Sequence, residues 1–380
     1  MTKSVVTKNN IRVCHLTSVH PPFDIRIFHK ECKSLAQAGY NVFLIAPIKE
    51  PILKEGIQVI PIHLPKSRLV RFLVVTFKMW VKALGAKAAI YHFHDPELMF
   101  CGVLLRLSGK KVIFDIHENI RLSLQSKDWL PEWALSFVSA SYFIMERFCL
   151  MFFHQLILAE ESYLNHYPKH KSETVLNFPL AKPMELPEKK WNSAIRFVYS
   201  GVIHPLRGIW EMLALIQMLK EAKTEATLDL VGEVRPAPLA LEIKNYLNIH
   251  QLNQNVFIHG KVDFDQVTNF LKNADIGLAL LKPIPNYKES LPTKIFEYMQ
   301  HGLPVIANDF PLYKKYVEAT GTGICIDIAS METTFPLILS MIQSSDKLAM
   351  MRENGPKTVA ENYSWKTQEQ KLHSVYQNLT

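Results

Sequence analysis

"IRVCHLT", Ile11 to Thr17, is short and mostly apolar, and the segment that follows it, "IRIFHKECKSLAQA", repeats its apolar residues at helical spacing. Gly39 stops that helix, and "NVFLIAP" is the next strand. "AAIYHFH", a helix through "ELMFCGVLLRLSG", and "KVIFDIH" repeat the unit. Apolar strands joined through helices are the mark of a parallel sheet covered on both faces, and this alternation limits the fold more than any other feature. It breaks at "NFPLAKPMELPEKKWN" (Asn177 to Asn192), proline-rich and polar, which reads as a linker. It then resumes with "IRFVYSG", "TLDLVG", "NVFIHG", "DIGLALL" and "GICIDI", with helices between, and ends in an amphipathic tail helix, "SWKTQEQKLHSVYQNL". A chain of 380 residues is too long for one ordinary core. Two doubly wound α/β domains in tandem are therefore expected, facing each other across a cleft, with ligands at the carboxyl ends of their strands.

Composition narrows the class. Cys14, Cys32, Cys101, Cys149 and Cys325 are scattered without a CxxC pair, which argues against a disulfide framework or a zinc ribbon and suits a reducing cytoplasm. No signal-peptide segment precedes the first strand, and the greasiest stretch, "ALSFVSASYFIMERFCLMFFHQLILA", is broken by Glu146 and Arg147. The net charge of +8 favours an anionic partner. From Lys66 to Ala88 there are six basic residues and no acid on a helical apolar background. Such a stretch reads either as a membrane-surface helix or as a packed helix with a solvated lysine face.

The chemistry concentrates in loops after strands. In "ESLPTKIFEYMQHGLPVIA" (Glu289 to Ala307), Pro292 suits the first turn of a helix and Ser290 its cap, with Lys294 adding a positive charge. Free N–H groups at such a start form an anion site. Glu289 before the helix and Glu297 inside it can each accept two hydroxyl hydrogen bonds, as a sugar diol requires. The plainer reading is an acidic cap plus a surface glutamate. "YSGVIHPLRGIWEML" sets Arg207 at a helix entrance, suited to bidentate phosphate binding, or simply a surface arginine after a turn. Gly260, ending "NVFIHG", could let bare backbone meet a flat base.

In the first half, "YHFHDPE" and "FDIHEN" place His92, His94, Asp95 and His117 at strand ends, and "HPPFDIRIF" adds His20, Asp24 and Arg26. A metal site needs a convergent set, whereas His92 and His94 alternate along one strand, so no metal is expected. Satisfied polar groups at strand ends are the plainer account. "DFD" at Asp263 to Asp265 heads a helix and reads as a cap. No GxGxxG, P-loop or GxSxG motif occurs.

Taken together, these residues resemble glycosyltransferase family 4, retaining enzymes of the GT-B fold, and within it a bacterial surface-polysaccharide type. The likeness spans the chain and is most specific at Glu289-x7-Glu297 followed by "YMQHGLPVIA". It implies an acceptor-binding domain over 1–183, a nucleotide-sugar-binding domain over 184–360, and a helix over 361–380 that crosses back onto the first. It implies Glu289, His117 and Arg207 as catalytic: Glu289 contacts the transferred sugar, Arg207 neutralises the diphosphate, and His117 lies near the anomeric carbon. Glu297 would hold the ribose, with Lys294, Ser290, Thr293, Gly201 and Val262 as further donor contacts. His20, Asp24, Arg26, His94 and Asp95 become acceptor-side candidates. Three departures stand out. Val202 replaces the arginine often found after the loop glycine, Pro292 removes an N–H that usually meets phosphate, and "HPPFDIRIF" replaces a glycine pair.

The resemblance implies transfer from a nucleotide-diphosphate-sugar to a glycan or lipid-linked hydroxyl acceptor, without metal or other cofactor and without nucleic acid. A peripheral site on an acidic membrane surface through 66–88 is a further expectation. The competing readings are a nucleotide-sugar epimerase of the same fold and a basic binding module without catalysis.

Overall fold

The computed structural model describes residues 11–63, 68–120, 132–180, 186, 189, 191 and 194–380. The chain divides into two units, Met1–Leu180 with Trp365–Thr380, and Ala181–Ser364. The boundary expected at 183/184 lies outside the described residues, as do much of the proline-rich linker and Lys66.

The first unit is built on β1 (Arg12–Leu16), β2 (Asn41–Ala46), β3 (Ile52–Lys54), β4 (Ile57–Pro61), β5 (Ile90–Phe93), β6 (Lys111–Ile116), β7 (Gln155–Leu158) and β8 (Ser172–Thr174). Their order is β3-β4-β2-β1-β5-β6-β7-β8, all parallel except β3, which pairs antiparallel with β4. Alternation along the strands sends side chains to two different layers. Cys14 and Leu16 of β1, with Tyr91 and Phe93 of β5, pack against Arg68–Gly85, Met99–Leu107 and Glu132–Leu150. Val13 and Ile90 pack on the other face, against Ile27, Phe28 and Cys32 and against Trp365, Leu372 and Tyr376 of the tail helix Trp365–Leu379. His15 and His92 share that second face. The helix read from the sequence after β1 begins as a π-turn, Ile25–Cys32, before continuing as α-helix over Lys33–Gln37. Such turns rotate side chains away from their α-helical positions.

The second unit holds β9 (Ile195–Ser200), β10 (Ala226–Val231), β11 (Val256–Gly260), β12 (Ile276–Ala279), β13 (Val305–Asn308) and β14 (Gly323–Ile326), all parallel, in the order β11-β10-β9-β12-β13-β14. In both sheets the chain builds outward in one direction and then crosses to the other side of its first strand. The strand order therefore reverses between β1 and β5 and between β9 and β12. At such a switch point the loops after the two neighbouring strands turn opposite ways and leave a crevice. The charged groups central to the sites discussed next lie at one of these two places or on the helix beside it.

Candidate functional sites at the two switch points

In the second unit, the loop after β9 runs from Gly201 to a 3-10 turn, Pro205–Arg207, capped by the His204 ring, which accepts from Leu206 N–H at 3.1 Å. Gly208 then opens the helix Ile209–Glu221 in the left-handed region (φ 81°), and a Cβ there would lie 1.8 Å from the Leu280 carbonyl oxygen. Only glycine fits, so the loop after β9 is pressed against the end of the β12 segment. Arg207 is thereby fixed beside the crevice, where it bonds the hydroxyls of Tyr199 and Tyr287.

Lys294 reaches the same spot from the helix Thr293–Gln300. Its Nζ is buried, has no hydrogen-bond partner, and lies 3.6 Å from the centroid of the Tyr199 ring. Burial, followed by repulsion from Arg207, holds its pKa well below the ordinary lysine value, and Glu297 works in the opposite direction. A Cβ built on Gly201 would lie 3.3 Å from Lys294 Nζ and 3.6 Å from Arg207 Nη1. Two cations thus converge on Gly201, which carries no side chain. Interiors do not leave a buried ammonium without an acceptor at no cost. The Lys294 ammonium and the Arg207 guanidinium together concentrate positive charge beside Gly201.

The surroundings differ from the sequence reading in one respect. Ser290 does not cap the Thr293–Gln300 helix. It follows a short separate helix, Pro285–Glu289, in extended conformation, and the cap position belongs to Pro292. Pro285 starts that extra turn, so Glu289 closes a helix instead of lying in a loop. Glu289, Glu297, Ser290 and Thr293 are all half-buried. Val262 follows β11 at the outer edge of the sheet, two strands from β9. Asp263 caps Phe264–Asn273 in a reciprocal capping box with Gln266, as its position in the sequence suggested. No motif marked Tyr199 or Tyr298 as part of the site. The Tyr298 ring lies where a Cβ on Gly277 of β12 would stand, at 2.3 Å, and its hydroxyl accepts from Ser200 N–H at 3.0 Å. This tyrosine seats the glutamate helix against the end of β9.

The switch point of the first unit is lined by acids and imidazoles. Asp95 Oδ2 accepts from Thr17 Oγ1 at 2.9 Å and from Ser18 N–H at 2.5 Å, tying β5 to the loop after β1. His20 Nε2 lies 3.3 Å from Asp95 Oδ1. Asp24 caps the π-turn, accepting from Arg26 N–H and Ile27 N–H at 2.8 and 3.0 Å. Arg26 lies beneath the surface, bidentate to Asp115 at 2.9 Å through Nε and Nη2, with Nη1 donating to the Val175 carbonyl. Burial alone would raise the Asp115 pKa, but Arg26 and then His117 hold it well below the usual carboxylate range. Ionised Asp115 accepts from His117 Nε2 at 2.7 Å and from His94 Nδ1 at 3.1 Å. The contact with Asp115 orients the His117 ring through its Nε2. Burial pushes His94 down to about 4, against the pull of Asp115, so its ring is neutral. Below this layer lie His15, Glu31, His92 and Tyr376, all fully buried; only His92 drew notice in the sequence.

Of the Lys66–Ala88 stretch, the side chains through residue 73 are outside the described set. In the remainder, Val75, Met79 and Ala83 face the core, while Phe77 and Val81 are 60% and 51% exposed. No helix among the described residues is long and apolar enough to cross a membrane.

Comparison with known proteins bears on both units. Residues 186–358 match the family described as Glycosyl transferases group 1. "Uncharacterized glycosyltransferase MJ1069" of Methanocaldococcus jannaschii is 22% identical over 194 residues, a match that spans 50% of this chain and 47% of that protein. Among solved structures, sucrose-phosphate synthase from Thermosynechococcus elongatus superposes with a TM-score of 0.77 at 14% identity, covering 97% of this chain and 99% of its own. Anabaena HepE, in complex with UDP and glucose, superposes at 0.73 and 11% identity, covering 97% and 100%. WaaG, a glycosyltransferase involved in lipopolysaccharide biosynthesis, does so at 0.68 and 15%, covering 96% and 99%. The two parallel-sheet units make up a GT-B fold.

Proposed function

From the premise that residues 186–358 belong to the Glycosyl transferases group 1 family within a GT-B chain, we propose that this protein transfers a sugar from a nucleotide-diphosphate-sugar to a hydroxyl acceptor with retention of anomeric configuration. The observation that carries the reading is the buried, unpartnered Lys294 ammonium, which converges with Arg207 on the side-chain-free space at Gly201. A diphosphate in that space gives Lys294 the acceptors it lacks. UDP in the HepE structures supports the choice of anion.

The chemistry follows from where charge develops. As the glycosidic bond to the donor breaks, negative charge grows on the leaving diphosphate, and cations already oriented toward it stabilise that charge without reorganising. Arg207 and Lys294 play this part, with Tyr199 fixing both: its ring face lies under Lys294 and its hydroxyl bonds Arg207. Glu297 is assigned the donor ribose and Glu289 the transferred sugar. No carboxylate is assigned as a nucleophile, in contrast to the paired acids of retaining hydrolases. The acceptor hydroxyl attacks on the face the leaving group departs from, and a diphosphate oxygen takes its proton. The acceptor side draws on His117, held by Asp115, and on His20, His94 and Asp95. No step uses a metal.

The acceptor proposed is a lipid-linked or polysaccharide glycan met at an acidic membrane surface. Lys78 and Lys82 accompany exposed Phe77 and Val81 on one helix, and Phe137, Ile144 and Phe148 are 73%, 69% and 48% exposed on another. Apolar anchors beside cations suit an anionic interface. Sedimentation with anionic vesicles, and not with neutral ones, is the expected result.

A panel of nucleotide-sugars screened for thermal stabilisation tests the donor assignment, because a ligand bound to the folded state raises the melting temperature. Proton NMR of the first-formed product then reads the anomer. Indifference to every donor would refute the reading, and an inverted product would refute retention.

A further inference from the structure

We infer that the first unit binds one divalent transition-metal ion of zinc character within its core, on His15 of β1, His92 and His94 of the β5 segment, and Glu31 of the π-turn. The four residues are fully buried or nearly so, and one ligand atom from each can be chosen so that all lie within 4.8 Å of one another. His15 Nδ1 is 2.9 Å from His94 Nε2. Glu31 Oε2 is 3.9 Å from His15 Nδ1, 3.8 Å from His92 Nδ1 and 4.0 Å from His94 Nε2. Ligands about 2.0–2.2 Å from a tetrahedral zinc ion stand roughly 3.3–3.5 Å apart, so small side-chain adjustments close the shell.

The hydrogen-bond pattern points the same way. Asp115, bidentate to Arg26, accepts only, so the 3.1 Å contact from His94 Nδ1 must carry the proton, which leaves His94 Nε2 as a lone pair. With protons alone, His15 Nδ1 must then donate to it. His15 Nε2 becomes a lone pair that takes the single hydroxyl proton of Tyr376 at 3.1 Å, and His92 Nδ1 must donate to that hydroxyl oxygen at 2.8 Å. The chain of donors ends there. His92 Nε2 and both Glu31 oxygens are left without hydrogen-bond partners in a site closed to water, and Glu31 Oε1 has only the Arg26 Nε at 3.1 Å beside it. Buried polar atoms left over in this way call for an ion or a water.

A cation accounts for the carboxylate and for the arrangement around it. His94 Nε2, His15 Nδ1 and Glu31 Oε2 would face the ion, and His92 would complete the set through Nδ1, giving up its contact with the Tyr376 hydroxyl and carrying its proton on Nε2. His94 then keeps Asp115 on its outer nitrogen and His15 keeps Tyr376, the carboxylate–histidine–metal pattern that orients ligands in known sites. Three imidazoles with one carboxylate suit zinc or cobalt(II) and not the hard cations magnesium and calcium. A site filled by four protein ligands and buried from solvent is structural, pinning β1, β5, the π-turn and, through Tyr376, the tail helix. The sequence reading set metal aside because His92 and His94 alternate on one strand. Positions two apart share a face, and the neighbouring strand and π-turn supply the rest.

The test uses the full chain produced in cobalt(II)-supplemented medium and passed over chelating resin. Retention of about one cobalt per chain, with the visible absorption of tetrahedral cobalt, is expected. Glu31→Gln, matching the shape of the carboxylic acid but without the anionic ligand, is expected to lower retained cobalt at least tenfold. His117→Ala, which lies outside the set, is expected to keep the ion. Folded wild-type protein without the cobalt bands would overturn the proposal, whether or not Glu31→Gln folds. Full retention by Glu31→Gln, or loss in His117→Ala, would also overturn it, the latter by moving the ion to the His94–Asp115–His117 trio.

Discussion

Lys294→Met separates binding from stability, because the arrangement at Gly201 sets the two against each other. Methionine keeps most of the volume and places its sulfur over the Tyr199 ring, where the ammonium now sits 3.6 Å from the centroid. It removes a buried cation that has no hydrogen-bond partner and lies near a second cation. The desolvation penalty relieved is several kcal/mol, and the cation–π attraction forfeited is about 2 kcal/mol, so a net stabilisation of about 1–2 kcal/mol is expected. In a unit of this size that raises the melting temperature by about 2–8 °C. Against this, one charge-assisted contact to diphosphate, worth about 1.5–3 kcal/mol, is lost, so affinity should fall about ten- to 150-fold. The assay is thermal unfolding of both proteins with and without UDP, GDP and ADP. Wild type should be stabilised by at least one of them, while the variant should start higher and respond little. A variant that melts lower and binds as well as wild type would refute the reasoning.

The same lysine sets a pH dependence. Unfolded, it keeps its proton to about 10.4, whereas in the folded unit the depressed pKa releases it earlier. Between those two values the unfolded chain holds more protons, so stability attributable to Lys294 rises with pH. The wild-type minus Lys294→Met difference in unfolding free energy should accordingly climb between neutral and alkaline pH, and a flat difference would count against the burial. Gly201→Ala places a methyl group against Lys294 Nζ and Arg207 Nη1 at φ 124°, and titration should show nucleotide affinity reduced at least tenfold. Arg207→Ala should lower kcat/KM by about 2–4 kcal/mol in equivalent transition-state energy, measured by donor turnover. Asp115→Asn takes the bidentate carboxylate from the buried Arg26 guanidinium, leaving it Glu31 and the Val175 carbonyl, and should cost about 3–5 kcal/mol in denaturant unfolding.

What the sequence disclosed depended on whether a signal was local. Strand–helix alternation and the proline-rich break are local, and so is the Asp263 cap, whose partner stands three residues away. The Ser290 assignment failed because Pro285 starts an extra turn that ends at Glu289, and a cap reading centred on Pro292 does not look that far back. Lys294 and Arg207 stood out as candidate phosphate ligands, but nothing in their spacing indicated that Tyr199 lies under one and bonds the other. Arg26 stood out only as a loop residue after the first strand, and Glu31 not at all. In the π-turn both point inward, and their partners come from strands dozens of residues away. Asp24 and Arg26, noted as acceptor-side groups, bond the backbone of the π-turn and Asp115.

The tail helix has a consequence for how the molecule is made. Its Tyr376 hydroxyl meets His15 across 361 positions of sequence. A ribosome delivers His15 first and must finish the whole second unit before the tyrosine emerges. Throughout that interval the layer that Trp365, Leu372 and Tyr376 will cover stays open, a surface on which nascent chains aggregate or recruit chaperones. Closing so long a loop adds only a logarithmic entropy cost. The hazard is thus one of timing: a pause in synthesis between the second unit and the tail helix would leave the β1 layer unsealed.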